Sequence, residues 1–194
     1  MRRGNLYVIS GPSGAGKGTL VARLVEQLGD AWVSVSATTR APRPGERDGE
    51  HYFFLSRERF EAMVREGGLL EWAEFSGNLY GTPRASVEQH MAAGQQVILE
   101  IEVQGAFQVR AQMPEAHLVF IEPPSLDELE RRLVGRGTET PESVRRRMET
   151  ATLELQRKNE YDYCLVNDDL EQAAQDLLAF VNGQAEEQSG DSRI

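Results

Sequence analysis

Leu6-Tyr7-Val8-Ile9-Ser10-Gly11-Pro12-Ser13-Gly14-Ala15-Gly16-Lys17-Gly18-Thr19 is the stretch that decides the fold of this chain. Leu6-Tyr7-Val8-Ile9 is short, apolar and unbroken, the pattern of a strand buried on both faces. Behind the loop, Leu20, Leu24 and Leu28 recur at helical spacing and predict a helix that stops at Gly29. Between strand and helix, the glycines let backbone N–H groups converge on phosphate oxygens. The helix N-terminus adds partial positive charge, and Lys17 adds a full one. Strand, glycine-rich loop and helix in this order make a phosphate loop, so a nucleoside triphosphate is the expected ligand. Gly18 stands where Ser or Thr usually follows the lysine, with Thr19 next, which leaves open which hydroxyl meets a metal shell.

Outward from the loop, further buried strands are predicted at Trp32-Val33-Ser34-Val35, from Val97-Ile98-Leu99, over 117–121 and over 163–166. Helices alternate with them. Ser125 begins a capping box, Thr140-Pro141 starts a long helix bearing Val144, Met148, Ala151 and Leu155, and a last helix covers about 170–181. Such alternation implies an α/β fold, a parallel sheet with helices on both faces. About residues 37–92 differ: short strands are expected at 51–55, 69–75 and 78–81, with a helix capped by Ser56 and another capped by Thr82. This stretch reads as an inserted α+β lobe, and the glycine-flanked residues 135–141 as a mobile lid. The expected division is therefore one domain over 1–183, with its core in 1–36 and 93–183, and a disordered acidic tail over 184–194.

The chain has 194 residues and a formal net charge of −10, which argues against broad nucleic-acid binding or an anionic-membrane role. Its single cysteine, Cys164, excludes an intramolecular disulfide or a cysteine metal cluster and is expected to be a small buried hydrophobe. The three histidines have no metal-ligand spacing. No apolar run approaches the length of a signal peptide or membrane span, so the expected address is the cytoplasm. Oligomeric state is not legible.

The loop ending Gly16-Lys17-Gly18-Thr19 is similar to that of nucleoside monophosphate kinases. Ser36-Ala37-Thr38-Thr39-Arg40-Ala41-Pro42-Arg43-Pro44-Gly45-Glu46, followed by Gly49 and Tyr52, resembles the GMP-binding region of guanylate kinases. Glu71-Trp72-Ala73-Glu74-Phe75, Asn78-Leu79-Tyr80-Gly81, Gln104-Gly105, Gly135-Arg136-Gly137 and Val166-Asn167-Asp168-Asp169 continue the likeness in order, over about residues 5–181. The resemblance implies phosphoryl transfer from ATP to GMP with Mg2+. The alternatives are a non-catalytic guanylate-kinase-like scaffold, which a retained Lys17 disfavours, and a kinase of a phosphorylated sugar, which would have little use for Glu71 and Thr82.

The chemistry of the residues agrees. An acceptor phosphate needs cations and hydroxyls, and Arg40, Arg43, Tyr52 and Tyr80 offer both beside a stiff Pro/Gly loop. Guanine presents donors at N1 and N2. The resemblance assigns the carboxylate facing them to Glu71, with Ser36 and Thr82 as hydroxyl donors to the base. Glu102 departs from the aspartate usual in the family, keeping the charge on a longer arm; Glu100 is an alternative polar partner, through a magnesium-bound water. Arg132, Arg136 and Arg147 flank the expected lid, where arginines would stabilise the charge of the moving phosphoryl group. Asn167 follows a strand end, where open α/β sheets bind ligands, and the resemblance puts it near the adenine of ATP.

Overall fold

The computed structural model describes residues 4–135 and 140–190, with side chains to residue 186. Its centre is a five-stranded sheet in the order β2-β7-β1-β8-β9, comprising β1 (Leu6–Ser10), β2 (Ala31–Val33), β7 (Gln96–Glu100), β8 (His117–Glu122) and β9 (Tyr163–Val166). All of its pairings are parallel. β1 lies in the middle, and its alternating side chains enter different cores. Leu6 and Val8 join Val97, Leu99, Val103, Ala106 and Val109 on one face. Tyr7 and Ile9 join Leu20, Leu24, Ile98, Ile121 and Leu177 on the other. This two-sided burial explains the unbroken apolar run.

Helices α1 (Lys17–Gln27) and α7 (Leu170–Gly190) cover one face, and α3 (Arg84–Ala92) and α4 (Val103–Gln112) the other. A second sheet, in the order β4-β3-β6-β5, contains β3 (Ala37–Thr38), β4 (Phe53–Phe54), β5 (Leu69–Phe75) and β6 (Asn78–Pro83). It packs with α2 (Arg57–Arg65) around Ala37, Phe60, Leu69 and Leu79. Helices α5 (Leu126–Val134) and α6 (Pro141–Leu155) share a separate small core of Leu129, Leu133, Val144 and Ala151.

Several local expectations give way to tertiary context. β2 ends at Val33, and the strand expected over 51–55 is confined to Phe53–Phe54. Thr82 does not cap α3; Pro83 occupies that position, and the Thr82 hydroxyl is committed elsewhere. α3 follows the inserted sheet but packs on the main core through Val87 and Met91. Cys164 is exposed, because β9 is an edge strand whose burial alternates: Leu165 points into the core while Cys164 and Val166 face outward. Residues 184–190 are helical rather than disordered. The stripe Leu177, Val181 and Ala185 continues at i+4 spacing, and Ala185 is only 1% exposed. Polarity of the surrounding residues hides that stripe.

Candidate active site

The phosphate loop leaves the C-terminal end of β1 and bends at three left-handed or otherwise glycine-requiring positions, Gly11, Gly14 and Gly16. At Gly16, φ is +95° and a Cβ would lie 2.3 Å from the Asn167 side-chain nitrogen. α1 then starts with no capping side chain and no acidic residue in its first turn. Its N–H groups and its dipole are thus directed at the loop's concavity, as an anion site requires. Lys17 donates to the carbonyls of Gly11 at 2.5 Å and Pro12 at 3.2 Å, so its ammonium lies across the loop.

Residues from three other elements converge on this loop. Asn167, 6% exposed, donates from Nδ2 to Ala15 O at 2.8 Å, bracing the loop from behind. The resemblance places this residue near the donor base; what its amide touches here is the loop. Arg132 on α5 donates to Asn167 O at 3.1 Å and to Glu128 Oε1 at 2.8 Å. Arg147 on α6 donates to Ser13 Oγ at 2.9 Å, which ties this helix to the loop. Arg136 and residues 137–139 lie outside the described residues.

Carboxylates stand opposite Lys17. Glu100 ends β7, and a Cβ on Gly18 would lie 3.6 Å from both of its oxygens, so the glycine after the lysine faces a carboxylate. Loss of solvent pushes the Glu100 carboxyl upward, Lys17 opposes this, and Glu102 reinforces it. Glu102 occupies the N-cap of α4 without a capping hydrogen bond. Glu154 on α6 completes the group, and sequence reasoning missed it. Desolvation first, and then Glu102, push its carboxyl up to about 7, against the pull of Lys17. The available signal was its place between Ala151 and Leu155 on the inward stripe of α6, where a carboxylate is out of keeping.

The second sheet carries another set. Glu71 and Thr82 face each other across β5 and β6; Thr82 is fully buried and Glu71 is 7% exposed. Thr82 Oγ1 donates to Glu71 Oε1 at 2.7 Å. The other oxygen, Oε2, lies against α4, 3.0 Å from where a Gly105 Cβ would sit, so glycine there makes room for the carboxylate. Burial raises the Glu71 carboxyl, and the Thr82 hydroxyl and backbone N–H oppose the rise. Gly105 is one helical turn beyond Glu102, on the same face of α4. The first turn of α4 therefore joins the Glu71 pair to the carboxylates near Lys17. Ser36 precedes β3, half-buried, its carbonyl accepting from Phe53 N–H at 2.9 Å.

Arg40, Tyr52 and Tyr80 also come together. The Arg40 guanidinium stands 5.4 Å from the Tyr52 ring centre, and the Tyr52 and Tyr80 rings are 6.2 Å apart. Glu46, quoted in the motif but given no role by it, binds Arg40 through both oxygens at 2.8 and 3.0 Å and accepts from Arg43 N–H at 2.7 Å. These bonds, Arg40 first, lower its carboxyl to about 2. Glu46 thereby orients one guanidinium face and holds the Arg43 backbone beside it, while the Arg43 side chain is exposed.

A phosphate loop with a lysine, facing arginines and a separate pocket of buried polar groups, defines a P-loop kinase of a small phosphorylated acceptor. The comparisons narrow the class. The sequence profile described as guanylate kinase matches residues 3–184. A guanylate kinase from Parasynechococcus marenigrum (strain WH8102) is 61% identical over 170 residues, 88% of this chain and 93% of the relative. The crystal structure of guanylate kinase from Anaplasma phagocytophilum superposes with a TM-score of 0.73 at 34% identity, covering 95% of this chain and 87% of that one. A gluconokinase from Sinorhizobium meliloti 1021 shares the fold at 18% identity, with a TM-score of 0.54 and full coverage of both chains. The chain belongs to the guanylate kinase family, the ATP-dependent kinases of GMP.

Proposed function

We propose that this chain transfers the terminal phosphoryl group of ATP directly to the phosphate of GMP, using the two polar sets that the first turn of α4 joins. The loop from Gly11 to Thr19 cradles the donor phosphates. Lys17 leaves the Gly11 and Pro12 carbonyls to bridge them. Arg132, Arg136 and Arg147 close over the equatorial oxygens, where charge spreads in the transition state. Arg40, Arg43, Tyr52 and Tyr80 hold the acceptor phosphate, and Glu71 accepts from guanine N1 and N2 with Ser36 and Thr82 beside it. Glu102 stands between base and phosphates on its longer arm. Residues 37–83 form the acceptor lobe, shorter than the expected 37–92 because α3 packs on the main core through Val87 and Met91, and residues 135–141 the lid. The reaction has no covalent step for the protein to perform, so positioning and charge neutralisation carry it.

Mg2+ fits the residues present. Among the described residues no group of three or more His, Cys, Asp or Glu is placed to hold a metal ion. Mg2+ characteristically arrives on substrate phosphates and keeps several waters, needing only one or two protein oxygens. Glu100, whose carboxylate faces Gly18, and Thr19 would hold that water shell. The ion supplies charge neutralisation on the donor phosphates.

The observation that carries the acceptor assignment is the buried Glu71 carboxylate, fixed by Thr82 on one oxygen and accommodated by Gly105 at the other. A site built on such pairing rejects the wrong base by orders of magnitude. Measuring coupled ADP release across GMP, AMP, CMP, UMP and a sugar phosphate tests it; GMP should turn over fastest, and a faster rival sinks the assignment. The net charge of −10 supports small-molecule substrates over nucleic acid. Among the described residues no helix is long and apolar enough to cross a membrane, in keeping with a cytoplasmic site of action.

A further inference from the structure

β5 is the outer strand of the second sheet, and Glu71 projects from it beside a bulge. The register against β6 slips between Leu69 and Glu71, so Leu70 is the irregular residue. Neighbours on this stretch enter different cores: Leu69 packs in the lobe, and Leu70 packs with the main sheet. A bulge re-aims side chains and leaves its extra residue unpaired, and the outer edge of β5 leaves its outward ladder groups without a partner strand.

α4 supplies those partners from one of its faces. Gln108 accepts the Trp72 N–H at 3.1 Å and donates from Nε2 to the Trp72 carbonyl, also at 3.1 Å. One side-chain amide thus pairs with both backbone groups of one residue, as a neighbouring strand would. Gln112 donates to the Leu70 carbonyl at 2.9 Å and to the Leu69 carbonyl at 3.3 Å. Its own oxygen accepts from Arg84 at the start of α3, which fixes the amide. Gly105, Gln108 and Gln112 follow i, i+3, i+7 spacing, so one helix face holds the residues on both sides of Glu71 and receives its carboxylate.

We propose that Gln108 and Gln112 are positioning residues for acceptor recognition: they clamp the bulged edge of β5 to α4 and so fix where the Glu71 carboxylate points. This rests on Glu71 reading the acceptor base. The clamp also anchors β5 to α4 on both sides of the base-reading residue. Both glutamines bind the backbone of β5, and Gln112 also binds Arg84, which has no part in the proposed donor site. Their loss therefore acts on acceptor binding and selectivity and leaves the donor side alone.

The test compares Gln108→Leu, Gln112→Leu, their double variant, Gln108→Glu and Glu71→Gln, with kcat and KM measured for GMP and for ATP, and turnover with AMP. Leucine preserves bulk and removes the hydrogen bonds. The double variant should raise the KM for GMP by about tenfold and narrow the preference for GMP over AMP, since each lost pair weakens the clamp. Its kcat at saturating GMP and its KM for ATP should stay within about twofold, the latter certifying a folded donor site. Gln108→Glu, which still accepts the Trp72 N–H, should fall between wild type and Gln108→Leu. Amide exchange at Trp72 should quicken in Gln108→Leu. If Glu71→Gln weakens GMP binding while the double clamp variant matches wild type, the clamp is overturned and the site reading stands. If Glu71→Gln itself leaves GMP binding unchanged, the reading of the site fails first and takes the positioning role with it.

Discussion

Thr82 donates its hydroxyl hydrogen to the Glu71 carboxylate at 2.7 Å, with both side chains buried where β5 and β6 meet α4. Burial disfavours the charged carboxylate and the hydroxyl favours it, so Thr82 keeps Glu71 ionised further down the pH scale than burial alone would. Glu71 is proposed to accept from both guanine N1 and N2, which only its ionised form can do. The KM for GMP should therefore climb as pH falls through the Glu71 pKa, which lies above the ordinary 4.5. In Thr82→Val the climb should begin at higher pH, because the favouring hydrogen bond is gone. Superimposable KM–pH profiles for the two proteins would sink the coupling.

Gly16 is the tightest point between the loop and its brace. A side chain there meets Asn167 Nδ2 at 2.3 Å, at a φ of +95° that L-residues rarely adopt. Both penalties fall on the loop that cradles phosphate, so Gly16→Ala should lose ATP-induced thermal stabilisation and lower the melting temperature of the free protein. Thermal unfolding with and without ATP checks this. Retention of the full ATP-induced shift would show that the loop tolerates another path.

Much of this site was legible because its signals are local. The run from Leu6 to Thr19 states strand, loop and helix within a few residues, and the structure supplies each in turn. The arginine and tyrosine positions around Arg40 were legible as a chemistry, though not as a geometry. What escaped depends on approach between distant segments. Glu46 is unremarkable until Arg40 folds back on it. Glu154 is one of three glutamates on α6 until the fold brings Glu102 and Lys17 within its reach. Gln108 and Gln112 look like solvated helix positions unless one knows that a bulged strand edge lies alongside. Cys164 and Ala185 misled in opposite senses, since an edge strand exposes what an inner strand buries and one small residue per turn suffices to prolong a docked helix.

Lys17 lies across its own loop, donating to the Gly11 and Pro12 carbonyls. The charge is therefore held within reach of incoming phosphates, and its removal takes away the cation proposed to bridge them in the transition state. Lys17→Ala should lower kcat by about 10²–10³, the scale found when one preorganised electrostatic donor is removed. GMP should still bind, because the residues proposed to hold it belong to the second sheet and its loops. Steady-state kinetics paired with calorimetric titration of GMP separates the two, and near-normal turnover would refute the bridging role.

Glu154 gives the protein a pH dependence of its own. Its carboxyl ordinarily titrates near 4.5 and is pushed up to about 7 in the folded chain, chiefly by desolvation and next by Glu102, with Lys17 opposing. A carboxyl whose folded pKa is raised favours the folded state fully only below its unfolded pKa, and that contribution is lost as pH rises through the folded value. The window is therefore about pH 4.5 to 7, with the cost of the ionised form complete above it. Glutamine mimics the protonated acid at every pH. Glu154→Gln should match wild type in melting temperature near pH 4.5 and exceed it above pH 7, with the gap opening between. Raising ionic strength should narrow the gap only modestly, because desolvation outranks the repulsion from Glu102 and salt screens only the latter. Parallel melting curves across that range would mean that Glu154 feels neither burial nor its neighbours.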